Sequence, residues 1–303
     1  MLLVLCRDPL EPSRPDRSFE SEVAAIGRLG LPHVLVDHDA LARGEPERAV
    51  RRVPEQGLPI LAAYRGWMVT AEQYRSLHEG LSARGVLLIN DPDQYRRCHH
   101  LPESYPAIEG LTPRSVWLTG DFGIDRIMAA LAPLGDSPVV LKDFVKSRKH
   151  EWAEACYIPS ASDRRAVERV VGRFLELQGE DLAGGLVFRE FVEFEPVGVH
   201  PGSGMPITEE YRIFWLDGEP ISWSPYWEGS GYGGEGPPID DFEAIAAAVQ
   251  SRFFTMDVAR RRDGGWMIVE LGDGQVSGLP VGADPHRFYA ALADHWPDRP
   301  RAG

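Results

Sequence analysis

Apolar and polar positions follow two rhythms along the first hundred residues. The runs at 2–6, 33–36, 59–64 and 86–90 are short and apolar, as strands are, while 19–29 and 71–84 repeat their apolar positions at the spacing of an amphipathic helix. Strand and helix in alternation predict a small open α/β sheet of Rossmann-like kind. Ligands of such sheets meet the carboxyl ends of the strands, which places Arg7, Asp37, Arg65 and Asn90 to receive one. The fragment Tyr64-Arg65-Gly66-Trp67 joins a strand-end cation to a glycine and a tryptophan, a set able to hold a carboxylate, although a plain turn explains it equally well.

The rhythm is lost over 91–113, a stretch rich in Pro, His and Tyr that reads as a docking segment and boundary. Beyond it, strands are predicted at 139–144, 186–192, 211–216, 220–223, 253–259 and 266–271, with helices at 162–177 and 242–250. Asp217-Gly218 and Asp263-Gly264-Gly265 are hairpin turn signals, so this part is expected to be α+β with antiparallel pairs. The run WSPYWEGSGYGGEGPP, residues 223–238, is too glycine-rich for regular structure and too aromatic for a plain linker, and is expected to be a mobile lid or substrate loop.

With 303 residues, of which 43% are hydrophobic, the chain can bury a sizeable core. A net charge of −14 argues against a general nucleic-acid surface, which needs a basic footprint. No apolar run approaches the roughly 20 residues that span a bilayer. The opening MLLVLCRDP is too short for a signal peptide, so a cytoplasmic protein without a membrane partner is expected. Cys6, Cys98 and Cys156 are odd in number and widely spaced, as reduced structural thiols would be. His99 and His100, as sequence neighbours, do not converge on one metal. The densest basic run, Lys142, Lys146, Arg148, Lys149 and His150, supplies the local charge that an anionic nucleotide requires.

The sharpest chemical signal is FFTMDVARRRDGGWMIVELGDGQVSG, two strands joined by a turn at 263–265. Each strand carries one acid among strongly apolar neighbours, Asp257 on the first and Glu270 on the second. Burying both without a cation costs several kcal/mol, so a divalent metal is the economical explanation, and Mg²⁺ suits oxygen ligands beside phosphates.

These blocks resemble the ATP-grasp superfamily, whose metal pair is an Asp on one strand and a Glu on the next across a hairpin. In the same resemblance SPVVLKDF carries Lys142 to the nucleotide phosphates. LVFREFVEFEP is similar to the hinge that receives adenine, with Glu190 and the backbone of Val192 at the base and Glu193 or Glu195 near the ribose. EEYRIFWLDGEPIS is similar to the next hairpin, in which Glu210 and Arg212 hold the places of an acid and a phosphate-binding arginine. The four blocks keep the superfamily's order over 114–280. The resemblance implies an N-terminal α/β domain at 1–110 and a two-subdomain ATP-grasp fold at 111–303, divided into 111–192 and 193–303.

The sequence departs from the superfamily pattern twice. Where many members place Asn two residues after the bridging Glu, this chain has Gly272 followed by Asp273, which leaves Asp273 as the substitute metal ligand. Where many members carry a glycine-rich phosphate loop, this chain has KSRKHEW, so Lys146, Ser147, Arg148 and Lys149 are expected to cover the phosphates with side chains. The activity implied is ATP- and Mg²⁺-dependent ligation. A carboxylate is activated as an acyl phosphate and joined to an amine or similar nucleophile with release of ADP, Lys142, Arg212 and Arg65 being the catalytic candidates. Small-molecule or peptide substrates are the implied partners, and a homodimer stays open. A nucleotide-binding regulatory protein without turnover and a kinase-like phosphotransferase are the competing readings.

Overall fold

The computed structural model describes residues 1–228, 232 and 236–297, a mixed α/β chain built on parallel and antiparallel sheets. The N-terminal part runs β1 (Leu2–Cys6), α1 (Glu20–Arg28), β2 (His33–Val36), α2 (His38–Ala42), α3 (Pro46–Val50), β3 (Ile60–Arg65), α4 (Ala71–Ser82) and β4 (Val86–Leu88). Its four strands pair in parallel in the order β2-β1-β3-β4. Every residue of β1 is buried, because a parallel sheet covered on both faces demands the continuous apolar run LLVLC rather than an alternation. The predicted open sheet is thus present.

Residues 91–113 depart from the expectation of an irregular boundary. They form two helices, α5 (Pro92–His99) and α6 (Leu101–Ile108). Each has a proline in its first turn, where the missing N–H has no helical partner to lose, and Asp91 with Gln94 completes a reciprocal capping box at the start of α5. Prolines that looked like breakers are starters. Cys98, Leu101 and Ile108 pack into the core beneath the C-terminal sheet.

There follow β5 (Ser115–Leu118), α7 (Ile124–Leu131), β6 (Val139–Asp143), β7 (Tyr157–Ile158), α8 (Arg164–Gln178) and β8 (Leu186–Glu190), whose strands form an antiparallel sheet in the order β5-β8-β6-β7. A short hairpin, β9 (Pro196–Val199) and β10 (Pro206–Thr208), leads to β11 (Glu210–Leu216), β12 (Glu219–Pro225), α9 (Asp240–Ala248), β13 (Phe253–Arg260), β14 (Trp266–Asp273) and α10 (Pro285–Asp294). The last four strands are antiparallel in the order β12-β11-β13-β14. Asp217 and Gly218 both take positive φ, 51° and 89°, as the tight two-residue hairpin requires. Trp223, expected in a loop, belongs to β12; within 223–238, residues 229–231 and 233–235 lie outside the described residues. Among the described residues no helix is long and apolar enough to cross a membrane.

Period-two alternation on β11 sorts its side chains. Tyr211, Ile213 and Trp215 enter the core shared with α5, α6 and α9, while Phe214 and Leu216 pack against the N-terminal sheet and α10. Polar contacts seal the same seam. The Arg65 guanidinium is 2% exposed and donates to Glu22 on α1 at 2.9 Å and to the carbonyls of Gly274 and Ser277 at 2.6 and 2.7 Å. Asn90 donates to the Phe253 carbonyl and to Asp273, and Gln275 receives the Tyr64 N–H. Arg65 therefore corrects the sequence expectation: its guanidinium is committed to holding the N-terminal sheet on the loop after β14 and is not presented to a ligand.

Removing one partner of a buried, hydrogen-bonded ion pair costs about 3–5 kcal/mol. Arg65→Met, which strands Glu22 and two carbonyls, is expected to lose stability of that order in chemical denaturation; a loss below about 1 kcal/mol would show that Arg65 does not join the two parts.

Candidate active site

The β5-β8-β6-β7 sheet turns one face toward β14, and a cavity of about 680 Å³ lies between them. Alternation again decides what enters it. Val139 and Leu141 point into the core under α7 and α8, leaving Val140 and Lys142 of β6 on the cavity side, and Arg189 of β8 joins them. Val269 and Glu270 of β14 form the opposite wall. The connection after β8 contributes Glu190, Phe191, Val192, Glu193 and Phe194, while Trp152, Met205 and Pro206 add apolar surface.

The loop after β6 supplies Lys146, Ser147, Lys149 and His150 to the cavity without a glycine. Its shape comes from Asp143, which is 1% exposed. One Asp143 oxygen accepts the backbone N–H groups of Val145 and Lys146, and the other accepts from Gln178 at 2.7 Å and from Ala183. A carboxylate thus orders the loop that glycine would otherwise have to bend. Lys149 extends over the rings of Tyr226 and Trp227, 5.7 and 5.2 Å from their centres.

Across the C-terminal sheet, register sets the charges in a row. Arg212 of β11 is paired with Asp257 of β13, and Asp257 with Glu270 of β14. Arg212 Nε and Nη2 bind the two Asp257 oxygens at 2.8 and 2.7 Å, and Lys142 Nζ stands 3.5 Å from Glu270 Oε2. Glu270 is the open member, its side chain 41% exposed against 2% for Asp257. Burial works against its charge, yet Lys142, Arg212, Lys149 and Arg189 hold its pKa below the usual carboxylate range. Glu210, also on β11, is buried, lines the cavity and accepts the Trp227 indole N–H at 3.0 Å. Burial, reinforced by the charges of Asp257 and Glu270, pushes its pKa up to about 8. Arg189 is buried; desolvation brings it down to about 10 while it donates to Thr112 and the Ile268 carbonyl.

Of the residues singled out in the sequence, Lys142, Lys146, Ser147, Lys149, Glu190, Val192, Glu193 and Glu270 line one cavity, with Arg212 and Asp257 adjoining it through Tyr226 and Glu270. Three others point elsewhere. Arg148 donates to the Leu177 carbonyl, one of the last-turn acceptors that α8 cannot satisfy internally. Glu195 is exposed outside the cavity, its N–H bound to the Arg260 carbonyl. Asp273 is completely buried in the seam, its oxygens facing Asn90 and Gln275, and burial lifts its pKa to about 6. It is not placed to replace a ligand beside Glu270. Glu190 keeps its carboxylate on Arg114 at 2.9 and 3.0 Å and on Ser137. Asp143 and Arg189 were missed in the sequence; a charged residue inside an otherwise apolar strand, as in LVFRE, was the available signal.

The cavity joins an apolar end to a cationic end and has one accessible carboxylate, a donor set that fits a magnesium nucleotide. Mg²⁺ takes one or two protein carboxylates and completes its shell with phosphate oxygens and water, so it needs no all-protein cage. Among the described residues no group of three or more His, Cys, Asp or Glu side chains is arranged to hold a metal.

An ATP-grasp domain family, the third family of its clade, matches residues 133–292. No curated protein matches the sequence. Among solved structures, the chain is similar to a RimK domain protein ATP-grasp from Sphaerobacter thermophilus DSM 20745, with 16% identity, 97% of this chain and 98% of that one covered, and a TM-score of 0.59. It is similar to the ATP-grasp ligase PsnB complexed with minimal precursor, Mg and ADP, at 14% identity, 96% of each chain and a TM-score of 0.54. D-cycloserine synthetase DcsG is similar at 16% identity over 97% of this chain and 99% of that one, with a TM-score of 0.55.

Because folded Glu210 keeps its proton up to about 8 while an unfolded glutamate loses it near 4.5, the folded state holds more protons between those values, and stability falls as pH rises through that window. Thermal unfolding of metal-free protein in EDTA is expected to show this decline, and Glu210→Gln to flatten it. An equal slope in the variant would remove the buried-carboxyl assignment.

Proposed function

The chain belongs to the ATP-grasp domain family that matches its residues 133–292, and we propose that it is an ADP-forming ligase that uses ATP and Mg²⁺ to activate a carboxylate and join it to an amine or similar nucleophile. The observation that carries this reading is Glu270 standing open at the cavity wall between Lys142 and the Asp257–Arg212 pair, with Lys146, Lys149 and Arg189 lining the same space. The assigned residues divide into an apolar base pocket (Val140, Trp152, Phe191, Met205 and Val269, with the backbone of Val192), Glu193 for the ribose and the lysines for the phosphates. We take residues 1–110 as a Rossmann-like N-terminal domain and 111–192 and 193–303 as the two halves that enclose the nucleotide.

A bound Mg²⁺, held by Glu270 and the phosphates, would offset charge on the transferring group. The chain's own residues do the rest by position and charge. Lys142 and Arg189 face the phosphate end, fixed by the strands that carry them. Lys146 and Lys149, on a loop shaped by Asp143, close over it. In the reaction a substrate carboxylate oxygen attacks the γ-phosphorus and the bond to the β-phosphate oxygen breaks, releasing ADP. The nucleophile then attacks the acyl carbon and phosphate leaves with the C–O electron pair. Met68, Tyr226 and Trp227 border the cavity where the acceptor would approach, and Arg212 under Tyr226 is the cation nearest that side. The enzyme supplies no covalent nucleophile; Cys6, Cys98 and Cys156 are buried, and burial raises the pKa of each thiol. PsnB, described with a peptide precursor, and D-cycloserine synthetase suggest peptide and small-molecule substrates respectively. ADP formed only when a carboxylate and an amine are both present identifies a ligase, whereas ADP formed with one acceptor identifies a kinase.

A ligand confined to the folded state stabilises it by about 2.7 kcal/mol at a hundredfold excess over its Kd. Mg²⁺ with AMPPNP is therefore expected to raise Tm, and Lys142→Ala to weaken the nucleotide by about 1.5–3 kcal/mol, roughly ten- to hundredfold, while the fold is retained. No thermal shift at millimolar nucleotide would sink the nucleotide reading.

Glu270→Gln preserves shape and removes the charge offered to magnesium. Nucleotide binding is expected to persist while ADP formation falls at least about a hundredfold, since alignment of the γ-phosphate depends on the metal more than adenine recognition does. Near-normal turnover at saturating Mg²⁺ would displace Glu270 from the centre of the site.

A further inference from the structure

Two carboxylates face one another across β13 and β14, and the structure treats them differently. Glu270 is open to the cavity, with Lys142 at 3.5 Å beside it. Both oxygens of Asp257 are committed to Arg212 in a bidentate pair of 2.8 and 2.7 Å, and Asp257 is 1% exposed. Arg212 is itself anchored: Nη1 donates to the Gly278 carbonyl at 3.0 Å, and its guanidinium carbon lies 4.8 Å from the centre of the Tyr226 ring. A guanidinium in a fork on a carboxylate, stacked on an aromatic ring and tied to the backbone, is a fixed positive charge.

The neighbouring positions that could bring another side-chain oxygen to a second ion are closed or turned away. The residue two positions after Glu270 on β14 is Gly272, and a Cβ there would lie 2.8 Å from both Thr255 Oγ1 and Ser277 Oγ, which bond each other across it at 2.8 Å. No side chain fits at that place. Asp273 is turned into the seam toward Asn90 and Gln275, and Glu210 holds the Trp227 indole N–H.

We infer that the site takes one divalent ion with its nucleotide, at Glu270, and that the Arg212 guanidinium on Asp257 occupies the place of a second. The inference rests on the nucleotide reading above and specifies its cation requirement. A triphosphate carries about four negative charges, which metal ions together with lysines and arginines neutralise. Here Lys142, Lys146, Lys149 and Arg189 line the cavity, so one ion and one built-in guanidinium complete the set.

The test counts metal. Wild-type protein saturated with AMPPNP is titrated with Mn²⁺, and bound ions per bound nucleotide are read by electron paramagnetic resonance. One ion per bound nucleotide, unchanged as Mn²⁺ rises to millimolar, is expected; two would overturn the inference and leave nucleotide binding standing. Arg212→Met frees Asp257 and is expected to raise the count from one to two, whereas Arg212→Lys keeps a cation and stays at one. A count of one in a folded Arg212→Met protein would equally overturn it, and if that variant does not fold, the wild-type count decides. Absence of AMPPNP binding to the wild type would remove the nucleotide reading and this inference together.

Discussion

A carboxylate taken out of water must find a cation, a proton or a set of donors, and the arrangement of this protein's centre follows from that demand. The row Lys142, Glu270, Asp257, Arg212 alternates sign across two sheets, so each acid has a cation beside it. Glu210, behind the row, is held by an indole N–H rather than a cation, and its pKa rises accordingly. The balance also constrains the backbone. Slipping β13 by one residue against β11 or β14 would turn Asp257 to the opposite face, into the core occupied by Met256 and Val258, and would strand Arg212. The charges that serve chemistry therefore also specify register.

The same strand face performs two tasks along its length. Glu210 and Arg212 are at the cavity end of β11, while Phe214 and Leu216, further along the same face, bury against the N-terminal sheet. The loop after β14 links the two tasks. Gly274 and Ser277 present their carbonyls to Arg65 of the N-terminal sheet, and Gly278 presents its carbonyl to Arg212 at the site. One short segment is thus held between two arginines, one structural and one adjoining the cavity. The position of Arg212 depends on how firmly the N-terminal sheet is seated.

The cavity's loops achieve order by side chains where glycine is absent. Asp143 gathers backbone N–H groups from the lysine-bearing loop and ties it to α8 through Gln178, so Lys146 and Lys149 project from a shaped turn. Lys149 lies against Tyr226 and Trp227, and Trp227 reaches Glu210, which connects the basic loop to the C-terminal sheet across the cavity. A ligand's phosphates would compete with the aromatic rings for that lysine.

Local pattern by itself determined much of this. The apolar runs of β1 and β3, the two-residue turn at Asp217-Gly218 and the facing strands around Asp257 and Glu270 were legible because strand rhythm and turn chemistry are properties of neighbouring residues. The order of the blocks carried the family, and Lys142 and Glu270 do line one cavity. Tertiary structure decided what the charged residues face. Arg65 and Asp273 were read as ligand-binding from their places at strand ends, yet both are consumed by the seam between the N-terminal sheet and the loop after β14, a partnership of residues some two hundred positions apart. Arg148 sits in the basic run beside Lys149 but turns to the end of α8. Residues 91–113 looked irregular because prolines punctuate them, and became helices because those prolines fall in first turns above an apolar sheet that rewards burial. Sequence spacing sets which side of a strand a charge leaves from; only the packed chain decides whether a partner, a ligand or solvent is waiting there, because that depends on residues distant in sequence.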